Sequence, residues 1–165
     1  MLAQARTELG GSTDCIGSRK NPRWGMNPQA TAAFLTELEE GLDRLGYTEI
    51  ELTAFLVDID GLPASEVARI AETVSGRTAL RWPLSDGCFV VVFLAPVRDT
   101  AFMTRSLEAC LTDAAARLGA LGRGAQALVR SLRRWSYEVV MPGLLLQDIQ
   151  ASPADLVRAR VPAAA

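Results

Sequence analysis

One strand limits what this chain can fold into, because it starts half exposed, finishes fully apolar and then runs into two acids and a glycine. From Thr48 to Ile59, Ile50, Leu52, Ala54 and Leu56 alternate with Glu49, Glu51 and Thr53, after which Phe55 to Val57 are apolar on both faces. Strand side chains alternate with period two, so the early residues predict one wet face and the later ones predict cover on both. That environment exists in the middle of a sheet overlaid by helices. The strand closes on Asp58-Ile59-Asp60-Gly61, where the same period puts the two aspartates on one face. Two readings stand for the pair: oxygen ligands for a hard cation at the strand exit, or the end of the strand and a cap for the next helix.

The flanking sequence supplies the helices. Residues 1–27 mix Gly10, Gly11, Gly17, Pro22 and Gly25 with scattered charge and read as a flexible leader, with Trp24 either part of that tail or docked on the domain or a partner. From Pro28 to Leu45, Phe34, Leu38, Leu42 and Leu45 recur every three or four residues among acids, which predicts an amphipathic helix capped by Gly46 and covering the core. Pro63 opens a second helix with Val67, Ile70 and Val74 on one face, stopped by Gly76. Ser85-Asp86-Gly87 joins two apolar runs, 78–84 and 88–94, as a hairpin. A long helix follows over 99–118 and a further one over 121–135, then a short last strand from Tyr137 to Met141, and Ser152 to Asp155 starts one more short helix.

This order predicts an α+β fold, a ferredoxin-like sandwich: a βαββαβ core with an antiparallel sheet and helices on one face, plus the N-terminal helix. The expected division is a leader over 1–27, a single domain over 28–150, and a C-terminal helix and tail over 151–165.

Composition narrows the chemistry. The chain has 165 residues, 49% hydrophobic and 22% charged, which suits one globular domain. Histidine is absent, which removes imidazole bases, ligands and triads. Lys20 is the sole lysine and falls in the leader, leaving carboxylates, cysteine, tyrosine or a bound metal as catalytic options. Cys15, Cys88 and Cys110 are odd in number and outside any metal-ligand spacing, and read as reduced thiols of a cytoplasmic protein, the last two in the core. A net charge of −2 gives no general attraction to DNA, RNA or an anionic membrane. The longest apolar run, Phe89 to Ala95, is too short to span a bilayer.

The buried strand ending in Leu56-Val57-Asp58-Ile59-Asp60, the helix after it, and the hairpin at Ser85-Asp86-Gly87-Cys88-Phe89 before a valine-rich strand resemble the GGDEF family of diguanylate cyclases. The resemblance implies a palm-like, ferredoxin-related fold, with Asp58 as the metal-binding aspartate and Ile59 offering its backbone carbonyl. It departs at the hairpin, where only Phe89 agrees with the Gly-Gly-Asp-Glu-Phe signature. The stretch between Asp60 and Arg81 is also too short for the family's second helix and its nucleotide-reading residues. A phosphoryl-transfer site needs several converging oxygen ligands and donors for the phosphates. Asp58, Asp60 and Asp86 are the candidates for one cation, magnesium being the ion they would take, and no glycine-rich phosphate cradle accompanies them.

Between Asp113 and Glu138 no acid occurs while Arg117, Arg123, Arg130, Arg133 and Arg134 accumulate. On the expected helix these form either a solvated basic face or a surface for a phosphate-bearing or acidic partner. The expectation is therefore a non-catalytic regulatory or protein-interaction domain of bacterial signalling, resembling a degenerate GGDEF domain. It would require no cofactor, bind a protein partner, a nucleotide or a cyclic dinucleotide, and be compatible with a homodimer. The alternatives are a divergent metal-dependent nucleotide cyclase or phosphoryl-transfer enzyme, and an interaction module of ferredoxin-like fold unrelated to cyclases.

Overall fold

The computed structural model describes residues 28–44, 51–94, 99–135 and 142–160. The leader with Cys15, Lys20 and Trp24, the Gly46 cap and the strand expected over Tyr137 to Met141 lie outside these. The element order is α1 (Pro28–Arg44), β1 (Glu51–Asp60), α2 (Ala64–Ser75), β2 (Leu80–Ser85), β3 (Cys88–Phe93), α3 (Ala101–Leu118), a 3-10 turn (Gly119–Leu121), β4 (Gln126–Trp135), α4 (Pro142–Gln150) and β5 (Ala154–Arg158). The strands form one sheet in the order β2-β3-β1-β4-β5. Every neighbouring pair is antiparallel. The segment β1-α2-β2-β3-α3-β4 is the expected βαββαβ unit, in which each helix passes over the strand lying between the two it connects.

The period of two in β1 sorts the core into two layers. Phe55, Val57 and Ile59 pack with Phe89 and Val91 of β3 against Val67 and Ile70 of α2 and against Met103, Leu107 and Leu111 of α3. Leu52, Ala54 and Leu56 face the other way, with Trp82, Val90 and Val92, onto α1 and α4. The two core helices thus share one face, as the sequence predicts, and the opposite face is closed by the N-terminal helix and α4. Trp82 is fully buried on the edge strand β2. Its ring stacks on Phe34 at 5.0 Å between centroids, and its indole N–H donates to the Thr31 hydroxyl at 3.2 Å. α1 is therefore core cover, fastened through the aromatic side chain of an edge strand.

Two expected helices are strands. Residues 126–135, which carry Leu128, Leu132 and Trp135 at helical spacing, form β4 and pair with β1 over ten residues from Glu51↔Trp135 to Asp60↔Gln126. The same residues also alternate, with Ala127 and Val129 buried in the layer under α2 and α3. β1 needs a partner on its second edge, and that demand outweighs a helical stripe of three residues. Ser152 to Asp155 resembles a helix start, yet Ala154–Arg158 pairs with β4 from Arg130↔Ala154 to Gln126↔Arg158. The sheet consequently extends past the expected domain limit at residue 150. The helix in this region lies earlier, opening at Pro142, where a fixed φ suits a first helical turn.

Backbone chemistry at the turns follows the sequence. Gly76 ends α2 at φ 63°, and Gly87 turns the hairpin at φ 95°. Asp99 sits just before α3 and accepts the Ala101 N–H at 2.8 Å and an Arg105 N–H at 3.0 Å. The Arg105 guanidinium and the Ala101 amide together hold its carboxyl below the usual aspartate value.

Gly87→Ala meets both a forbidden φ and a Cβ placed 2.7 Å from the Ile59 carbonyl oxygen. It should cost about 2 kcal/mol or more of stability by urea denaturation. Because the folded-state pKa of Asp99 is depressed, its stabilising effect is present above the unfolded pKa and lost as pH falls through the folded one. Asp99→Ala should lower Tm at pH 7, with the gap to the unsubstituted protein closing on acidification.

Candidate functional site

The exit of β1 and the β2–β3 hairpin meet. The Ile59 N–H donates to the Gly87 carbonyl at 2.7 Å, and Asp58 stands opposite Cys88. This brings the Asp58-Ile59-Asp60 segment against the Ser85-Asp86-Gly87 turn. The Ile59 carbonyl faces Gly87 closely enough that only a glycine fits there.

The acids come from two elements, the exit of β1 and the hairpin turn. Asp58 and Asp60 continue the face of Leu52, Ala54 and Leu56, the side of α1 and α4, with Asp58 half-buried and Asp60 exposed. Asp86 lines a cavity on the α2 side together with Ala64, Val67 and Phe89. Among the described residues no three histidine, cysteine, aspartate or glutamate side chains come close enough together to hold a metal ion. Cysteine chemistry is also poorly served: Cys88 is buried, and burial pushes the Cys110 thiol above its usual pKa, in the direction that disfavours the nucleophilic thiolate.

The arginine cluster does not form a single face. Arg123 precedes β4, and alternation along that strand sends Arg130 and Arg134 to the α4 side and Arg133 to the other. Arg130 donates to the Ser152 carbonyl, Arg133 pairs with Glu51 at 3.6 Å, and Arg134 pairs with Asp148 of α4 at 3.4 Å. Arg117 grips Glu66 through two N–H donors at 3.2 and 2.8 Å. These cations join elements of the domain to one another. Only Arg123 of the four candidate binding residues keeps its guanidinium without a partner among the described residues.

A groove between α2 and the hairpin edge is the concave feature that sequence reasoning missed. Two adjoining cavities of about 420 and 200 Å³ share Ala68, Ala71, Pro83 and Phe89. The wall on α2 is made of small residues, Ala64, Ala68 and Ala71, one helical turn or so apart. The far wall is β2, whose Pro83 has no N–H to offer and keeps that edge from pairing with another strand. Between Pro83 and Ser85 the β2–β3 register slips. Ser85 lines the smaller cavity, and its hydroxyl oxygen is shielded and without a hydrogen-bond partner. At the other end lie Glu72 and Arg81, paired at 3.6 Å, and Arg77, which has no partner among the described residues. The alanine spacing is legible in the sequence, whereas the unsatisfied hydroxyl depends on the register slip.

A shielded hydroxyl without a partner carries its desolvation cost unrelieved. Ser85→Ala should leave the ligand-free protein as stable as before or up to about 1 kcal/mol more stable in urea denaturation, in contrast to the usual loss from a partly buried polar substitution.

Comparison of the chain with protein-family models, with curated proteins and with solved structures finds no match to any of them.

Proposed function

We propose that this chain is a non-catalytic regulatory module, resembling a degenerate GGDEF domain, that binds a nucleotide or cyclic dinucleotide in the groove between α2 and the β2–β3 hairpin. The observation that carries the reading is the groove itself, two adjoining cavities with a wall of small residues. It has an unpaired guanidinium at one end. The alanines leave room for a flat base, and Arg77 offers charge-assisted hydrogen bonds to a phosphate. The resemblance at Asp58-Ile59-Asp60 and at the hairpin supports a nucleotide as the ligand class. The non-catalytic part rests on the departure of Ser85-Asp86-Gly87-Cys88 from the family's hairpin signature, and on the lack of histidine. Turnover of a triphosphate needs acids and phosphate donors converging on one point.

Among the described residues no helix is long and apolar enough to cross a membrane. Regulation by a bound nucleotide would reach a partner protein through the sheet edge beside the groove.

The test is a thermal-shift titration with GTP, ATP and cyclic di-GMP, each with and without magnesium or manganese. A ligand at a hundred times its Kd stabilises by roughly 2.7 kcal/mol, readily seen as a rise in Tm. One of the three should raise Tm without a metal requirement and without turnover, and Arg77→Gln should weaken the effect. No rise with any of them overturns nucleotide binding. A metal-dependent rise lost in Asp58→Ala and accompanied by product overturns the non-catalytic part.

A further inference from the structure

At the opposite edge of the sheet, far in strand order from the groove, the turn after α3 and the end of β5 enclose a second concavity of about 280 Å³, lined by Arg123, Gly124, Ala125, Gln126, Arg158 and Ala159. The turn is held in place from behind. The Gly122 N–H donates to the Gly119 carbonyl and the Ala125 N–H to the Gly122 carbonyl, both at 3.1 Å. Gly122 presses on α3 so closely that a Cβ would fall 2.7 Å from the Ala115 Cα. Arg158 is placed by its register opposite Gln126 in the β4–β5 ladder. Both guanidiniums therefore stand on backbone that is fastened, at the rim of one depression.

Their electrostatic situation is unlike that of most arginines around them. Arg69 and Arg117 are neutralised by Glu66 and Asp113, and Arg160, two residues beyond Arg158, by Glu108. The guanidiniums of Arg123 and Arg158 have no ion pair or hydrogen bond among the described residues. No acid lines the depression. Asp60 is next in the same cross-strand row, but Gln126 stands between it and Arg158. Two fixed cations sharing a concavity without a counter-charge repel each other, and an anion placed between them relieves that repulsion. A guanidinium fork matches the tetrahedral oxygens of a phosphate with two parallel donors, a match that a monatomic anion such as chloride cannot make. The opening is clear on the glycine side, where a Cβ at Gly124 would meet nothing within 4 Å. The volume lies below the roughly 300–1,000 Å³ of sites that enclose a whole drug-sized ligand, so the site would grip a phosphate group and leave the rest of its bearer in solvent.

We infer that Arg123 and Arg158 form a phosphate-group binding site at the β4–β5 end of the sheet, separate from the groove by α2. It takes either a free phosphate oxyanion or the terminal phosphate of a phosphomonoester, and the site stands whether or not the groove binds a nucleotide.

The experiment is isothermal titration calorimetry of the full chain at fixed ionic strength, with sodium pyrophosphate and adenosine 5′-monophosphate as probes and sodium chloride as the control. It is repeated on Arg123→Gln, Arg158→Gln and Arg77→Gln. Saturable binding of at least one probe is expected, weakened about tenfold or more by either of the first two substitutions and unchanged by Arg77→Gln. Tighter binding of pyrophosphate assigns the site to free oxyanions, and tighter binding of the monophosphate assigns it to esters. Both substituted residues are exposed and their guanidiniums pair with no described residue, so Tm should not change, and an unchanged Tm verifies that any loss is one of binding. Heats no different from chloride, or binding that survives both substitutions, overturn the site. Binding lost in Arg77→Gln alone also overturns it and moves the phosphate to the groove. Shifts of the Arg123 and Arg158 Nε–H resonances on adding the bound probe give a second readout at the residues themselves.

Discussion

β1 has both hydrogen-bonding edges and most of both faces covered, and the rest of the molecule follows from that demand. Its edges are taken by β3 and β4, and its side chains divide between a layer under α2 and α3 and a layer under α1 and α4. A backbone this deeply placed must have its amides and carbonyls paired, since each unpaired one costs free energy comparable to a lost hydrogen bond. Residues 126–135 meet that requirement along the full length of β1. Once β4 is a strand, its own outer edge is open, and Ala154–Arg158 closes the half from Gln126 to Arg130. The apolar face of the sheet away from the core helices likewise requires α1 and α4, joined to it through Trp82, Leu145 and Ile149.

The same arrangement decides the distribution of charge. As a helix, 121–135 would have gathered its arginines toward solvent. As a strand it sends Arg133 to one face and Arg130 and Arg134 to the other, where they meet Glu51, Ser152 and Asp148. Arg117 and Arg69 tie α2 to α3 through Glu66 and Asp113, and Glu66 keeps only 16% of its side-chain exposure. Such a network is worth more than isolated surface pairs, because several charges share one partly screened locus. Among the described residues, Arg77, Arg123 and Arg158 are left out of these pairs, and each of them borders a concavity.

Much of the fold was legible before any coordinates. The alternation of β1, the Asp86-Gly87 turn and the Gly76 stop each rest on local chemistry, namely side-chain alternation and the access of glycine to positive φ, and each stands in the structure, whereas the wet face expected at the start of β1 does not, since Thr53 is fully buried. α1 was legible through the spacing of Phe34, Leu38 and Leu42, all buried as that spacing requires. β4 and β5 were misread because Leu128, Leu132 and Trp135 satisfy a helical stripe while Ala127 and Val129 satisfy alternation, and a single segment cannot reveal which partner awaits it. The candidate site was legible only in part. The Asp58-Ile59-Asp60 segment meets the hairpin through the Ile59–Gly87 hydrogen bond, a contact between segments far apart in the chain.

The sequence by itself determined the class of the fold, the central strand, the hairpin and the absence of imidazole chemistry, because each depends on residue type or on spacing along one segment. Only the tertiary structure decided which segments pair with β1, which arginines are neutralised, and where concavities with unsatisfied donors open. Those outcomes depend on residues far apart in the chain, such as Gly61 beside Ala125, Arg117 on Glu66 and Arg158 across from Gln126. Long-range pairing is set by the competition among whole elements to bury apolar surface and satisfy backbone groups, and no local pattern encodes the winner of that competition.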